Sequence, residues 1–173
     1  MIIGLSIPAF TVLHVVITLI AIATGFVVMF GMLGSKRLPG WTAIFLLMTI
    51  LTSVTGFMFP IHGFTPALGV GAVSLVILAI ALFALYGKHL AGAWRWIYVV
   101  TALAALWFNV FVLIVQSFEK LSLLNASAPQ VGPPFPEPVN THFAIVQIAA
   151  RAFIVIVGIV AAIRFRPAPP MPV

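Results

Sequence analysis

The chain contains no cysteine, no aspartate and only two glutamates, Glu119 and Glu137. Without cysteine there are no disulfides, no thiolate metal sites and no iron–sulfur clusters. Without paired carboxylates there is no acid–base dyad, and no acidic residue sits within an apolar run where it could relay protons. No Gly-rich phosphate loop, no HExxH and no Ser–His–acid set is present either. Hydrolase, kinase and ion-pump chemistry are therefore disfavoured, and the chain reads as non-catalytic. Charge itself is scarce, at 6% of residues against 64% hydrophobic. A soluble domain carries about 25% charged residues, so lipid must be the main solvent. The formal net charge of +6 does not point to nucleic acid, because the basic residues fall in small groups between apolar runs.

What is abundant is apolar sequence. Five runs are long enough to cross a hydrocarbon core, which takes about 20 helical residues. They cover residues 10–33, 41–60, 66–86, 94–118 and 141–165, with a Pro-rich loop over 119–140. None alternates like a strand, and a spanning segment must satisfy its own backbone. The expected architecture is an all-α transmembrane bundle of five helices forming one domain over 1–173. Pro39, Gly40, Pro60 and Pro66 punctuate the runs, and Asn140 and Thr141 are expected to cap the fifth.

Lys36 and Arg37, Lys88 and Arg95, and Arg164 and Arg166 occupy the first loop, the third loop and the tail. Basic loops stay in the cytoplasm. The expected orientation is thus amino terminus periplasmic and carboxyl terminus cytoplasmic. Trp41, Tyr86, Trp94, Trp96 and Tyr98 fall at the cytoplasmic interface, where amphipathic rings settle, and Phe57, Phe59, Phe64, Phe118 and Phe143 at the opposite one.

This topology gathers three of the four histidines, His14, His62 and His142, at the outer ends of helices one, two and five. Imidazole binds transition metals and haem iron. These three are candidate ligands for a divalent metal or a haem b, although no HxxxH spacing supports them. Arg151 lies about nine residues into the fifth run, roughly 13 Å deep at 1.5 Å per residue. A charge there costs about 2.5–3.5 kcal/mol on the insertion scale, so it is expected to face the bundle interior. Gln147 precedes it by one turn, and Asn109 on helix four reaches the same depth with Gln116 on its own face. The expectation is a polar seam of Asn109, Gln116, Gln147 and Arg151 between helices four and five, able to bind a ligand. Two stripes, His14–Thr18–Ala21–Gly25 and Thr42–Thr49–Ser53–Gly56, are expected to form the contact between helices one and two, since small residues let membrane helices approach.

The stretches Leu38–Pro60, with its Thr52–Ser53–Val54–Thr55–Gly56–Phe57–Met58–Phe59–Pro60 ending, and Ala93–Val112, opening Ala93–Trp94–Arg95–Trp96–Ile97–Tyr98, resemble a group of small, uncharacterised polytopic inner-membrane proteins of proteobacteria. That resemblance implies a bacterial inner membrane and carries no activity or ligand. Three functions fit these features. One is a module binding a small ligand (haem, quinone, lipid or metal) in the outer half. Another is a structural or assembly subunit of a larger membrane complex or homo-oligomer. The third is a small transporter or channel.

Overall fold

The computed structural model describes residues 1–60, 63, 66–121, 124 and 141–166. Among them five helical segments are long and apolar enough to cross a membrane: α1 (Ile7–Leu33), α2 (Pro39–Phe57), α3 (Pro66–Leu82) with the π-turn that continues it to Gly87, α4 (Trp94–Lys120) and α5 (Thr141–Arg164). No strand is found among the described residues. The Pro-rich loop, apart from 119–121 and 124, lies outside them, as do Asn140 and His62.

The helix ends follow local chemistry. α1 starts three residues before the expected Phe10 because Ser6 caps it, its hydroxyl accepting from the Ala9 amide at 3.4 Å, with a proline in the first turn. α2 stops at Phe57, three residues short of Pro60, because a residue before proline is pushed out of the helical region. α3 runs on into a π-turn at Phe83–Gly87, where the Lys88 amide closes onto the Phe83 carbonyl at 2.9 Å.

α4 is the central element, packing against all four other helices. α5, α1, α2 and α3 form an arc around it, each touching the next, while α3 and α5 do not touch each other. Among the described residues one face of α4 therefore lies open between α3 and α5. Tyr98, placed at the interface by the sequence pattern, is instead 2% exposed and packs beside Phe165. Trp41, Tyr86 and Trp96 are exposed, as interfacial rings should be.

The most extensive helix pair is α1–α2, and Gly25 shows why. A Cβ there would lie 2.7 Å from Leu106 Cδ1 and 2.9 Å from Phe45 Cε2. Both side chains are buried, at 0% and 1% exposure, so neither can give way. Substituting Gly25→Val should lower stability by about 1–3 kcal/mol through overpacking. Gly40→Ala, where an added Cβ meets nothing within 4 Å, should be neutral. Thermal unfolding in detergent micelles distinguishes them, and equal shifts would remove this close approach as a packing determinant.

Candidate functional site

A cavity of about 450 Å³ opens at the end of the bundle where α1 begins and α2 ends, between α1, α2, α3 and α4. Its size falls in the range of small-molecule sites. Phe57, Phe59, Leu68, Val70, Phe108 and Leu113 supply apolar wall. The polar groups come from all four helices: His14 and Thr18 on α1, Thr52 and Ser53 on α2, Ser74 on α3, and Asn109, Gln116 and Lys120 on α4.

The threonines set the geometry of this site. In a membrane helix a hydroxyl satisfies its proton by donating to the carbonyl one turn back. Thr55 donates to the Leu51 carbonyl at 2.6 Å, Thr18 to that of His14 at 2.8 Å, and Thr49 to that of Phe45 at 2.8 Å. Each oxygen is left with lone pairs only. His14 Nδ1 lies 2.7 Å from Thr55 Oγ1. Since the Thr55 proton is already engaged, the imidazole must donate, which puts the proton on Nδ1. Nε2 then carries a lone pair, and it has no hydrogen-bond partner among the described residues. The ring is held edge-to-face against Phe59, itself edge-on to Phe10. By the same logic Asn109 Nδ2 donates to Thr49 Oγ1 at 3.1 Å, which fixes the amide orientation and frees its oxygen.

Ser74 stands apart. It is 3% exposed and lines the cavity, yet its hydroxyl has no partner among the described residues. A buried orphan hydroxyl costs about 1–3 kcal/mol. Sequence reasoning passed over it, although it is the one hydroxylic residue in α3, a helix otherwise built from aliphatic residues, proline and glycine.

The structure divides the expected seam between helices four and five. Asn109 pairs with Thr49 on α2, and Gln116 lines the cavity. Gln147 donates instead to the Phe111 carbonyl of α4 at 3.4 Å, and its own amide oxygen is buried without a partner among the described residues. Arg151 reaches α4 but not its Asn109 face: the guanidinium lies over the Trp107 ring at 5.3 Å, and the residue is exposed. The reason is azimuthal. Asn109 is two residues from both Trp107 and Phe111, or roughly 200° around a helix of 3.6 residues per turn. Equal depth placed the four residues together on paper, while the helical angle puts them on opposite faces.

His142, at the start of α5, is exposed and does not line the cavity. His62 lies outside the described residues. Among those described, no three His, Cys, Asp or Glu side chains gather in a group that could hold a metal. The expected contact between α1 and α2 is formed, but through Thr18 with Thr52 at 3.4 Å and His14 with Thr55. Thr49 turns to α4.

No family model, curated protein or solved structure matches this chain.

Nitrogen-15 NMR of histidine-labelled protein should show His14 protonated at Nδ1 and bare at Nε2. Thr55→Val, which removes the acceptor, should move the proton to Nε2. A wild-type Nε2–H would mean that Thr55 donates to the ring.

Proposed function

We propose that this protein is a non-catalytic binding module of a bacterial inner membrane that holds a small neutral amphiphile of the quinol class beneath the periplasmic face. The orientation rests on the basic loops, which share the end opposite the cavity. The observation that carries the reading is the pairing of a fixed imidazole acceptor with an orphan hydroxyl donor in an apolar chamber. His14 Nε2 offers a lone pair, Ser74 a proton without a partner, and the Asn109 oxygen a second acceptor. A ligand that answers them needs an O–H, a second oxygen and an apolar body. A quinol has all three. Hydrogen bonds of this kind, sheltered from water, orient such a ligand within largely apolar walls.

The test is isothermal titration of the protein in neutral-lipid nanodiscs with a short-chain benzoquinol. Saturable one-to-one binding is expected. Ser74→Ala should weaken it by about 5- to 10-fold, the worth of about 1 kcal/mol or slightly more for one hydrogen bond. The same substitution should leave the fold as stable or slightly more so, because it removes an unpaired polar group. His14→Phe should weaken binding further. Absence of saturation, or wild-type affinity in Ser74→Ala, would overturn the quinol reading.

A second reading, as a subunit of a larger membrane complex, is favoured by Arg151. Trp107, beneath its guanidinium, is the middle residue of α4 (Trp94–Lys120). The charge is therefore drawn to mid-helix rather than toward the helix end, on the face of α4 left open between α3 and α5. Cation–π contact returns about 0.5–2 kcal/mol, less than a mid-membrane charge costs. A carboxylate-bearing transmembrane helix seated in the gap would supply the remainder, and the described helices of this chain hold no acid at that depth. In mild detergent the native complex should then exceed the mass of the 18.5 kDa chain, and Arg151→Leu should reduce it to the chain alone. A wild-type monomer would remove this reading.

A further inference from the structure

The opposite end of the bundle holds a second cavity, of about 370 Å³, which shares no lining residue with the first. Its rim is cationic. Lys36 and Arg37 come from the α1–α2 loop and His89 from the α3–α4 loop. Its floor is deeply buried and mostly apolar, with Met32, Tyr98 and Phe165 at 1–3% exposure.

The rim is positioned rather than loose. Arg37 Nη2 donates to the His89 carbonyl at 3.4 Å, tying the two loops together. Guanidinium has five donors, so most of the fork remains for a ligand. Ser35, His89 and Leu90 all adopt positive φ, at 54°, 50° and 61°, a region that residues with a side chain enter only when their surroundings hold them there. The Arg166 amide donates to Ser35 Oγ at 2.7 Å, and the Leu90 amide to the Ala84 carbonyl of the π-turn at 3.0 Å. Arg95 is engaged differently, donating to the Ala162 and Phe165 carbonyls at the end of α5. It closes the helix end and is not part of the rim.

Among the described residues no acidic side chain lies at this end to neutralise the rim. Six of the eight Lys and Arg residues lie in these loops and helix ends, and the acidic residue described, Glu119, belongs to the far end of α4. We infer that this cavity is a binding site for a phosphate-bearing amphiphile: Lys36 and Arg37 hold the anionic phosphate, and Met32, Tyr98 and Phe165 receive the apolar portion. Phosphate matches the forked donors of arginine and the point charge of lysine. A free phosphate ion would use the rim alone and leave the apolar floor uncovered, whereas an anionic phospholipid uses both. The inference does not depend on what occupies the His14 cavity.

Native mass spectrometry of the protein, released from phosphatidylcholine nanodiscs doped with phosphatidylglycerol, tests this. Wild type should retain one phosphatidylglycerol in preference to phosphatidylcholine. Lys36→Gln should lower that retention about fivefold, and Lys36→Gln with Arg37→Gln about thirtyfold, from the worth of a cation near anionic headgroups. Lys36 makes no side-chain hydrogen bond among the described residues, so the single variant keeps the fold. Arg164→Gln removes the same charge outside the cavity and should change nothing. An equal loss in Arg164→Gln, or no preference in wild type, would overturn the site. Displacement of the lipid by inorganic phosphate would overturn the amphiphile and leave a free phosphate site.

Discussion

Hydrocarbon supplies no hydrogen-bond partner, so every polar group inside these helices must find one in the chain, and the structure is organised around that constraint. The threonines meet it locally. Thr11, Thr18, Thr24, Thr49, Thr55 and Thr101 each return their proton to the carbonyl four residues back. The consequence is directional. A hydroxyl that has donated can only accept from a neighbouring helix, so the helix facing it must bring an N–H or a spare O–H. His14 does so for Thr55 and Asn109 for Thr49. Backbone satisfaction in α2 thereby fixes the tautomer of a histidine in α1 and the amide orientation of an asparagine in α4.

The groups that escape this rule are few and informative. Ser74 Oγ and Gln147 Oε1 are the buried side-chain atoms left without a partner among the described residues, and Arg151 lies over a ring rather than against an anion. Two of them, Gln147 and Arg151, are one turn apart on α5 beside α4, and Ser74 lines the cavity on the other side of α4. A buried orphan lowers stability without any gain to the isolated monomer. On the readings proposed above, its persistence would follow from completion by something outside the chain, a ligand in one case and a neighbouring helix in the other.

How much of this could be read from the sequence follows from what each feature depends on. The five helices were legible because apolar run length alone decides whether a segment can span, and that is a one-dimensional property. The helix ends moved by a few residues where a cap such as Ser6, or a proline such as Pro60, took precedence over the apolar boundary. His14 and Asn109 were legible as expensive residues but not as neighbours of the same cavity. Their grouping depends on helix azimuth, and because α4 packs against all four other helices, its apolar pattern does not say which neighbour each of its faces meets. Tyr98 misled for a related reason. A ring near a helix end looks interfacial until a neighbouring segment, here Phe165, closes over it.

The two cavities also bear on whether the bundle conducts. Between them lies a closely packed layer. Gly25 there brings α1 against Phe45 and Leu106, and Thr49 and Met29 are buried at 0% exposure alongside. Thr49 is doubly engaged, donating to the Phe45 carbonyl and accepting from Asn109, which ties α2 to α4 across this layer. Joining the cavities would require withdrawing the buried Phe45 or Leu106 and breaking the Asn109–Thr49 bond in hydrocarbon. In this state the bundle is two separate chambers back to back on a packed septum. That arrangement suits a protein that holds molecules at each surface better than one that passes them through.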